Sequence, residues 1–382
     1  MWRAVASNGL TLLIVMFLVM GGLGIWAKGH YAAQGPLEAS MCFRVPSGAN
    51  FRDTADRLAE QGAVQSAAFL RIGARYEEKT TRLKAGSFLI PAGASMAEVT
   101  DIVTRGGANT CGSEIVYRIG VASTTVQLRE LDPATERLVD IASYKLGEAR
   151  PTEFAPVLER GDARHRIAMA EGVTNWQIIE TLKGIAYLRG DIGDVPAEGM
   201  MAPYSYELQR GETRQDVVNR MVARQADILN AAWDARADDL PLANKSEALI
   251  LASIIEKETS VPDERRIVSS VFVNRLNRGM PLQTDPTVIY GITRGEGVLG
   301  RGLRRSELDR ETPWNTYKIR GLPPTPIANP GRAAIEAALN PEATDYIFFV
   351  ADGTGGHAFA ETLAEHNRNV AAWRKIEAQS NN

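Results

Sequence analysis

Leu249–Thr259 reads LILASIIEKET, an apolar helix that ends on a carboxylate. Asn244, with Glu247 three residues on, is a capping-box signal for its start. Leu249, Ala252, Ser253 and Glu256 share one face at the three-and-four spacing of a helix, and Ile250, Leu251, Ile254 and Ile255 fill the others. The pattern predicts a helix with little surface in water and a partly desolvated Glu at its end. Desolvation raises a carboxyl pKa toward the range a general acid needs. A plain core helix whose first polar residue is Glu256 has the same pattern, so spacing alone leaves both readings open.

Working outward, the N-terminal end is the other stretch with a strong physical signature. Ala4–Ala27 holds no charge and Leu10–Trp26 is strongly apolar. That is long enough for a membrane span and longer than the usual core of a cleaved signal peptide. Lys28 and His30 interrupt the place where a small-x-small cleavage site would stand, so an uncleaved signal anchor is predicted. Arg3 and the amino terminus oppose Lys28 and His30, which leaves the positive-inside rule undecided. Cys42 follows Ala-Ser-Met too far from the apolar run to be a lipoprotein acceptor. Cys42 and Cys111 bracket a segment of small-domain size, as a disulfide in an oxidising compartment would. Two unrelated buried thiols are the alternative. The 382 residues suffice for two or three domains, and a net charge of −3 gives no basic surface for nucleic acid.

Between these ends one pattern recurs: a short strand, a turn with Pro or Glu and Gly, and an amphipathic helix. It appears as FRVPSGANFRDTADRL from Phe43, FLIPAGASMAEVTDIV from Phe88 and IAMAEGVTNWQIIETL from Ile167. Ser95 with Glu98 and Thr174 with Gln177 are capping boxes, and Phe51, Ala55 and Leu58 form a buried stripe. Ser66–Tyr76 reads as a further helix, so Cys42–Ile90 runs strand, helix, helix, strand. That order resembles a LysM-type glycan-binding module, and a purely structural spacer has the same order. In Cys111–Arg164, Ile115, Tyr117, Ile119 and Val121 alternate like a half-buried strand, and Ala134–Leu146 has helical spacing. Arg214–Arg236 is predicted as a long helix with Val217, Met221, Arg224 and Ile228 along one side. After Glu256 the chain becomes dense in Gly, Pro, Asn and aromatic residues, which suits loops lining a groove.

From Leu249 onward five ordered blocks stand out: LASIIEKET, SSVFVNRL (Ser269–Leu276), GMPLQTDPTVIYG (Gly279–Gly291), WNTYKIRGLPPTPIANPG (Trp314–Gly331) and FFVADGTGGHAF (Phe348–Phe359), followed by His366 and Asn367. Together they resemble the endolytic murein transglycosylases of the MltG (YceG-like) type. Upstream, EGMMAPYSY (Glu198–Tyr206) departs from that family's pattern, with Tyr204 and Ser205 where an acidic residue and Thr are usual.

The resemblance implies that Glu256 is the catalytic acid, because it matches the family's acid position. Glu258, two residues along a helix, points nearly the opposite way. A lytic transglycosylase cleaves the MurNAc–GlcNAc bond of peptidoglycan without water and leaves a 1,6-anhydro-MurNAc end. One carboxyl group suffices, since the attacking 6-hydroxyl belongs to the substrate. Gln283, Thr284 and Asp285, in a segment expected to be extended before Pro286, are substrate-binding candidates. So are Tyr290, Asn315, Tyr317 and His357. Each alone would read as a turn or surface residue, and the resemblance makes them groove residues. No cofactor and no metal are implied, as the four His and two Cys offer no ligand spacing.

Two competing readings remain: a muramidase using Glu256 with Asp285 and water, and a non-catalytic, membrane-tethered glycan-binding scaffold. The expected fold class is α+β: an N-terminal transmembrane helix, a small LysM-like α/β module and a mixed α+β catalytic domain. The expected boundaries are 1–28 anchor, 29–40 tether, 41–110 LysM-like module, 111–164 extra segment, 165–245 linking α/β region and 246–376 catalytic domain. Peptidoglycan strands, the membrane and peptidoglycan synthases are the expected partners. The expected location is the inner membrane, single-pass, with a periplasmic catalytic region.

Overall fold

The computed structural model of the chain describes residues 2–46, 48–105, 110–160 and 163–380. It has two compact units: Met1–Ile115, Gln127–Ser143 and Arg150–Arg164 in one, Val116–Val126, Tyr144–Ala149 and His165–Asn382 in the other. Residues 111–164 are thus divided between the two.

The first unit opens with helix α1 (Trp2–Ala32), of which Leu12–Ala32 is long and apolar enough to cross a membrane. Large side chains from Leu12 to Trp26 are exposed. At its far end Tyr31 turns inward. Its hydroxyl donates to Thr100 Oγ1 at 2.8 Å, and its ring leaves no room for a Cβ at Gly73.

Next come strand β1 (Met41–Val45), helices α2 (Phe51–Glu60) and α3 (Ala67–Tyr76), strand β2 (Gly86–Ile90) and helix α4 (Met96–Arg105). The strands pair antiparallel with Phe43 opposite Phe88. Asn50 and Ser66 cap α2 and α3, and Ser95 and Glu98 form a reciprocal box at the start of α4. Phe51, Ala55 and Leu58 join Phe43, Leu70, Ile90 and Val99 in one core. Cys42 and Cys111 are bridged, with alpha-carbons 5.6 Å apart, within the span a disulfide allows.

Strands β3 (Ser113–Ile119), β4 (Thr124–Asp132) and β5 (Arg137–Lys145), helix α5 (Phe154–Arg160) and strand β6 (Arg164–Met169) follow. With β7 (Ser205–Leu208) they make a sheet of order β5-β4-β3-β6-β7. The helix expected over Ala134–Leu146 is a strand instead. Asp132 accepts from the Ala134 N–H at 3.0 Å and the Thr135 hydroxyl at 2.8 Å, so its side chain reverses the chain there. Val139 and Ile141, poor helix residues and good strand residues, then lie in the ladder. Val121 falls outside β3, in the turn closed by Gly120 N–H to Ser123 O at 3.1 Å.

The second unit contains helices α6 (Asn175–Gly184), α7 (Arg214–Asp234), α8 (Lys245–Glu258), α9 (Arg265–Asn277), α10 (Asp285–Thr293), the single turn α11 (Arg305–Leu308), α12 (Arg332–Leu339) and α13 (Leu363–Ser380). The hairpin of β8 (Phe348–Ala351) and β9 (His357–Ala360) precedes α13. On α7 the inward residue is Gln225 rather than the expected Arg224. The Gln225 amide donates to Gly199 O and Pro330 O at 3.0 and 3.1 Å, while Arg224 lies over the Tyr204 ring. A neutral amide whose NH2 meets two carbonyls is far easier to bury than a guanidinium. Helix α8 is buried on every side from Ala248 to Ile255 and packs against α7, α9, α10 and α12. Each buried Leu or Ile contributes about 1.5–3 kcal/mol of transfer free energy, so its C-terminal turn rests on a rigid support.

Candidate active site

Glu256 lies in the last turn of α8, where the helix leaves the core. Two loops meet it there. Glu171–Val173, the turn between β6 and α6, pairs with Ala328–Gly331 through Gly172 N–H to Asn329 O (2.9 Å) and Asn329 N–H to Val173 O (2.8 Å). The fully buried Asn329 side chain completes the seam. Its amide donates to Val173 O and Asn175 Oδ1, and its oxygen accepts from the Met201 N–H. Ser253 fixes the helix to the same loop by accepting the Ile327 N–H at 3.0 Å.

At the meeting point the Gly331 N–H donates to Glu256 Oε2 at 2.9 Å. Gly331 is also the N-cap of α12. Two glycines are required here. Gly172 has φ +78°, and a Cβ on it would touch Glu256 Cγ and Lys257 Cδ; a Cβ on Gly331 would collide with Glu171 Oε1. Burial pushes the Glu256 carboxyl above its usual value; the Gly331 hydrogen bond opposes this, the Glu171 charge adds to it, and Arg265 and Lys257 oppose it. Burial likewise lowers the Lys257 ammonium, whose Nζ donates to Gly172 O at 3.2 Å.

Beside Glu256 a cavity of about 300 Å³ is lined by Gly172, Thr174, Gln177, Lys257, Tyr290 and Val298, among others. Its wall is held by Thr174 Oγ1 donating to Gly295 O at 2.6 Å. Tyr290 donates to Glu198 Oε2 at 3.2 Å and lies 6.0 Å from the Trp314 ring. Glu198 also accepts the Asn175 N–H, and burial pushes its carboxyl up to about 6.

The other residues picked from the sequence gather elsewhere. Thr284 Oγ1 donates to Glu258, a buried carboxyl raised by desolvation, with Asp285 adding to the rise and the Thr284 bond and His357 opposing it. Tyr317 donates to Asp285 Oδ1 at 2.7 Å. His357 is held through its N–H and Nδ1 by Glu264, at 2.8 and 2.7 Å. Gln283 is exposed with φ +51°. Asn315 is fully buried, with its amide donating to Glu307, Leu308 and Arg310 carbonyls. It organises a turn.

One local expectation changes. Asp285 is the first residue of α10, with only Thr284 extended as its N-cap. Proline fits the first turn of a helix because its missing N–H has no partner there. The run through Asn315 and Tyr317 is a turn, closed by Asn315 Oδ1 accepting the Tyr317 N–H at 3.0 Å.

Glu171, Arg265, Asn329 and the two glycines were missed as site residues. Glu171 and Gly172 stand in the AEGVT turn of the third repeat, read above as structure, and Asn329 and Gly331 in the ANPG end of the fourth block, read above for its resemblance alone; Arg265 lies outside both.

A family model described as the YceG-like family matches residues 43–372 of this chain. The endolytic murein transglycosylase of Bacillus subtilis is 37% identical over 174 residues, covering 45% of this chain and 47% of that protein. The protein of the same name from Streptococcus pneumoniae is 25% identical over 376 residues, covering 94% of this chain and 64% of its own length. The chain therefore spans about half to under two thirds of these curated relatives. A crystal structure of a YceG-like protein from Listeria monocytogenes aligns with a TM-score of 0.47 and 22% identity, covering 87% of this chain and 99% of that one.

Proposed function

Because the chain belongs to the YceG-like family, we propose that it is an endolytic lytic transglycosylase acting on peptidoglycan strands, with Glu256 as its single acid and base. The observation that carries this reading is the partly buried Glu256 carboxyl, fixed by the Gly331 N–H, with its neighbours Lys257 and Gly172 lining a cavity of about 300 Å³. In its protonated form it gives its proton to the glycosidic oxygen as the C1–O bond breaks. The carboxylate then takes the proton of the muramyl 6-hydroxyl, whose oxygen closes on C1. No water is consumed, and the tethered hydroxyl brings a large effective molarity. Glu171 supplies the neighbouring charge that favours the protonated starting state, with Arg265 at 3.9 Å as its counter-ion.

The muramidase pairing of Glu256 with Asp285 is not favoured. Asp285 is held by Tyr317, and its charge acts on Glu258. Digestion of purified strands tests the choice. Anhydro ends support the lytic reaction, and reducing ends support hydrolysis.

In the same reading α1 is a single-pass inner-membrane anchor and the rest is periplasmic. The Cys42–Cys111 bridge supports an oxidising compartment for the residues that follow α1. The strand–helix–helix–strand unit from β1 to β2 is read as a LysM-like glycan-binding module, and peptidoglycan synthases as the source of the strands. An intact mass that starts near residue 30 would reject the anchor.

A further inference from the structure

On the α12 side of Glu256 lies a second cavity, of about 630 Å³, between α7, the start of α9 and α12. Alanines Ala231, Ala232, Ala235, Ala333 and Ala337 give it room, and its polar lining is dominated by Arg265, Arg266 and Arg332, with Glu336. A cationic surplus is thus concentrated in one cleft of a chain whose net charge is −3.

The arginines are unequally committed. Arg266 donates to Asn340 O at 2.9 Å. Arg332 interacts with the Tyr204 hydroxyl and has Glu336 at 3.5 Å, a half-exposed pair that solvent screens. Arg265 is 14% exposed, its nearest acid is Glu171 at 3.9 Å, and its Nε is buried without a hydrogen-bond partner. A buried guanidinium N–H left unmatched is unfavourable until an acceptor arrives. The cleft is next to the reacting carboxyl: Arg332 directly follows Gly331, whose N–H holds Glu256, and Arg265 acts on the Glu256 charge.

We propose that this cleft is a subsite for the carboxylates of the stem peptide carried by the muramyl sugar, with Arg265 and Arg332 as its binding groups. The inference rests on the glycan-cleaving reading above. A muramyl ring placed for protonation by Glu256 carries its lactyl-linked peptide on O3, and this cleft gathers three guanidinium groups to receive the acidic groups of that peptide. The cavity on the Lys257 side suits neutral sugar faces instead: beside Tyr290, Val298 and its glycines, its Arg301 is paired with Glu307 at 2.6 Å and its Lys257 donates to Gly172 O.

The test compares the full-length protein on two substrates: glycan strands bearing their peptides, and the same strands stripped by an amidase. The wild type is expected to show kcat/KM roughly tenfold higher on the peptide-bearing strands, as charge-assisted hydrogen bonds imply. In Arg332→Ala and Arg265→Gln that ratio should fall toward one, mainly through KM. Equal cleavage of both substrates by the wild type overturns the subsite while leaving the transglycosylase reading in place. Cleavage of neither sinks that reading. In that case equilibrium binding of the two strand types to Glu256→Gln still decides the subsite, since equal affinities would overturn it and tighter binding of peptide-bearing strands would support it.

Discussion

The Gly331 N–H donates to Glu256 Oε2 at 2.9 Å, joining the N-terminus of α12 to the C-terminus of α8 at the carboxyl assigned to catalysis. Among the described residues, the bond orients the acid without an ion pair to it. A full cation there would pull the pKa down and hold the carboxylate, whereas one peptide N–H fixes the geometry at a smaller cost to proton affinity. Desolvation remains the largest influence on Glu256, and Glu171 reinforces it.

Glu171→Gln should therefore shift the pH profile. Glu256 must start protonated, so kcat/KM falls as pH rises through its pKa. Removing the Glu171 charge lowers that pKa and should move the falling limb to lower pH. A limb that stays in place, or moves up, would show that Glu171 does not set it.

Gly172→Ala should lower both stability and activity. At φ +78° an alanine carries about 1–2 kcal/mol of backbone strain, and relief of that strain would move the turn whose Cβ lies in contact with Glu256 and Lys257. Thermal melting and kcat together measure this. A variant with wild-type melting and wild-type kcat would contradict the close approach.

Much of this arrangement was legible in advance, and the reason is local. Helix α8 announces itself because every face is apolar and Asn244 caps it, and the three strand–turn–helix repeats carry their own capping residues. The missed parts depend on partners far away in the chain. Asn329 looks like a loop residue until Val173, Asn175 and Met201 are placed around it. Glu171 looks like a turn acid until Gly331 is against it. Thr284, Asp285 and Tyr317 were each read as groove candidates beside Glu256, and the structure gathers them near Glu258 instead, because two residues of helix rotate a side chain to the other side.

Glu198 makes stability depend on pH. Its carboxyl rises from 4.5 to about 6 on burial, so the folded state binds more protons than the unfolded one. Stability should fall as pH rises from 4.5 to about 6, by on the order of 2 kcal/mol. Glu198→Gln should flatten the melting temperature across that window and melt higher than wild type at neutral pH. An unchanged slope would remove Glu198 as its source.

Loss of the Cys42–Cys111 bridge should weaken the first unit. The cysteines are 69 residues apart, and closing such a loop stabilises by roughly 4 kcal/mol in the chain-entropy model. Cys42→Ser with Cys111→Ser should lower an early melting transition and leave strand cleavage measurable below it. Identical melting curves with and without the bridge would contradict this.

The central claim is that Glu256 alone moves the proton in strand cleavage. The most direct measurement is mass-spectrometric counting of 1,6-anhydro ends released from purified strands by the wild type and by Glu256→Gln, with circular dichroism and melting confirming the same fold. Gln keeps the volume of Glu and a carbonyl to accept the Gly331 N–H, but it can neither give nor take a proton. The account predicts anhydro ends from the wild type and a loss of roughly a hundredfold or more in the variant. Release by a folded Glu256→Gln protein at a rate near wild type would contradict it.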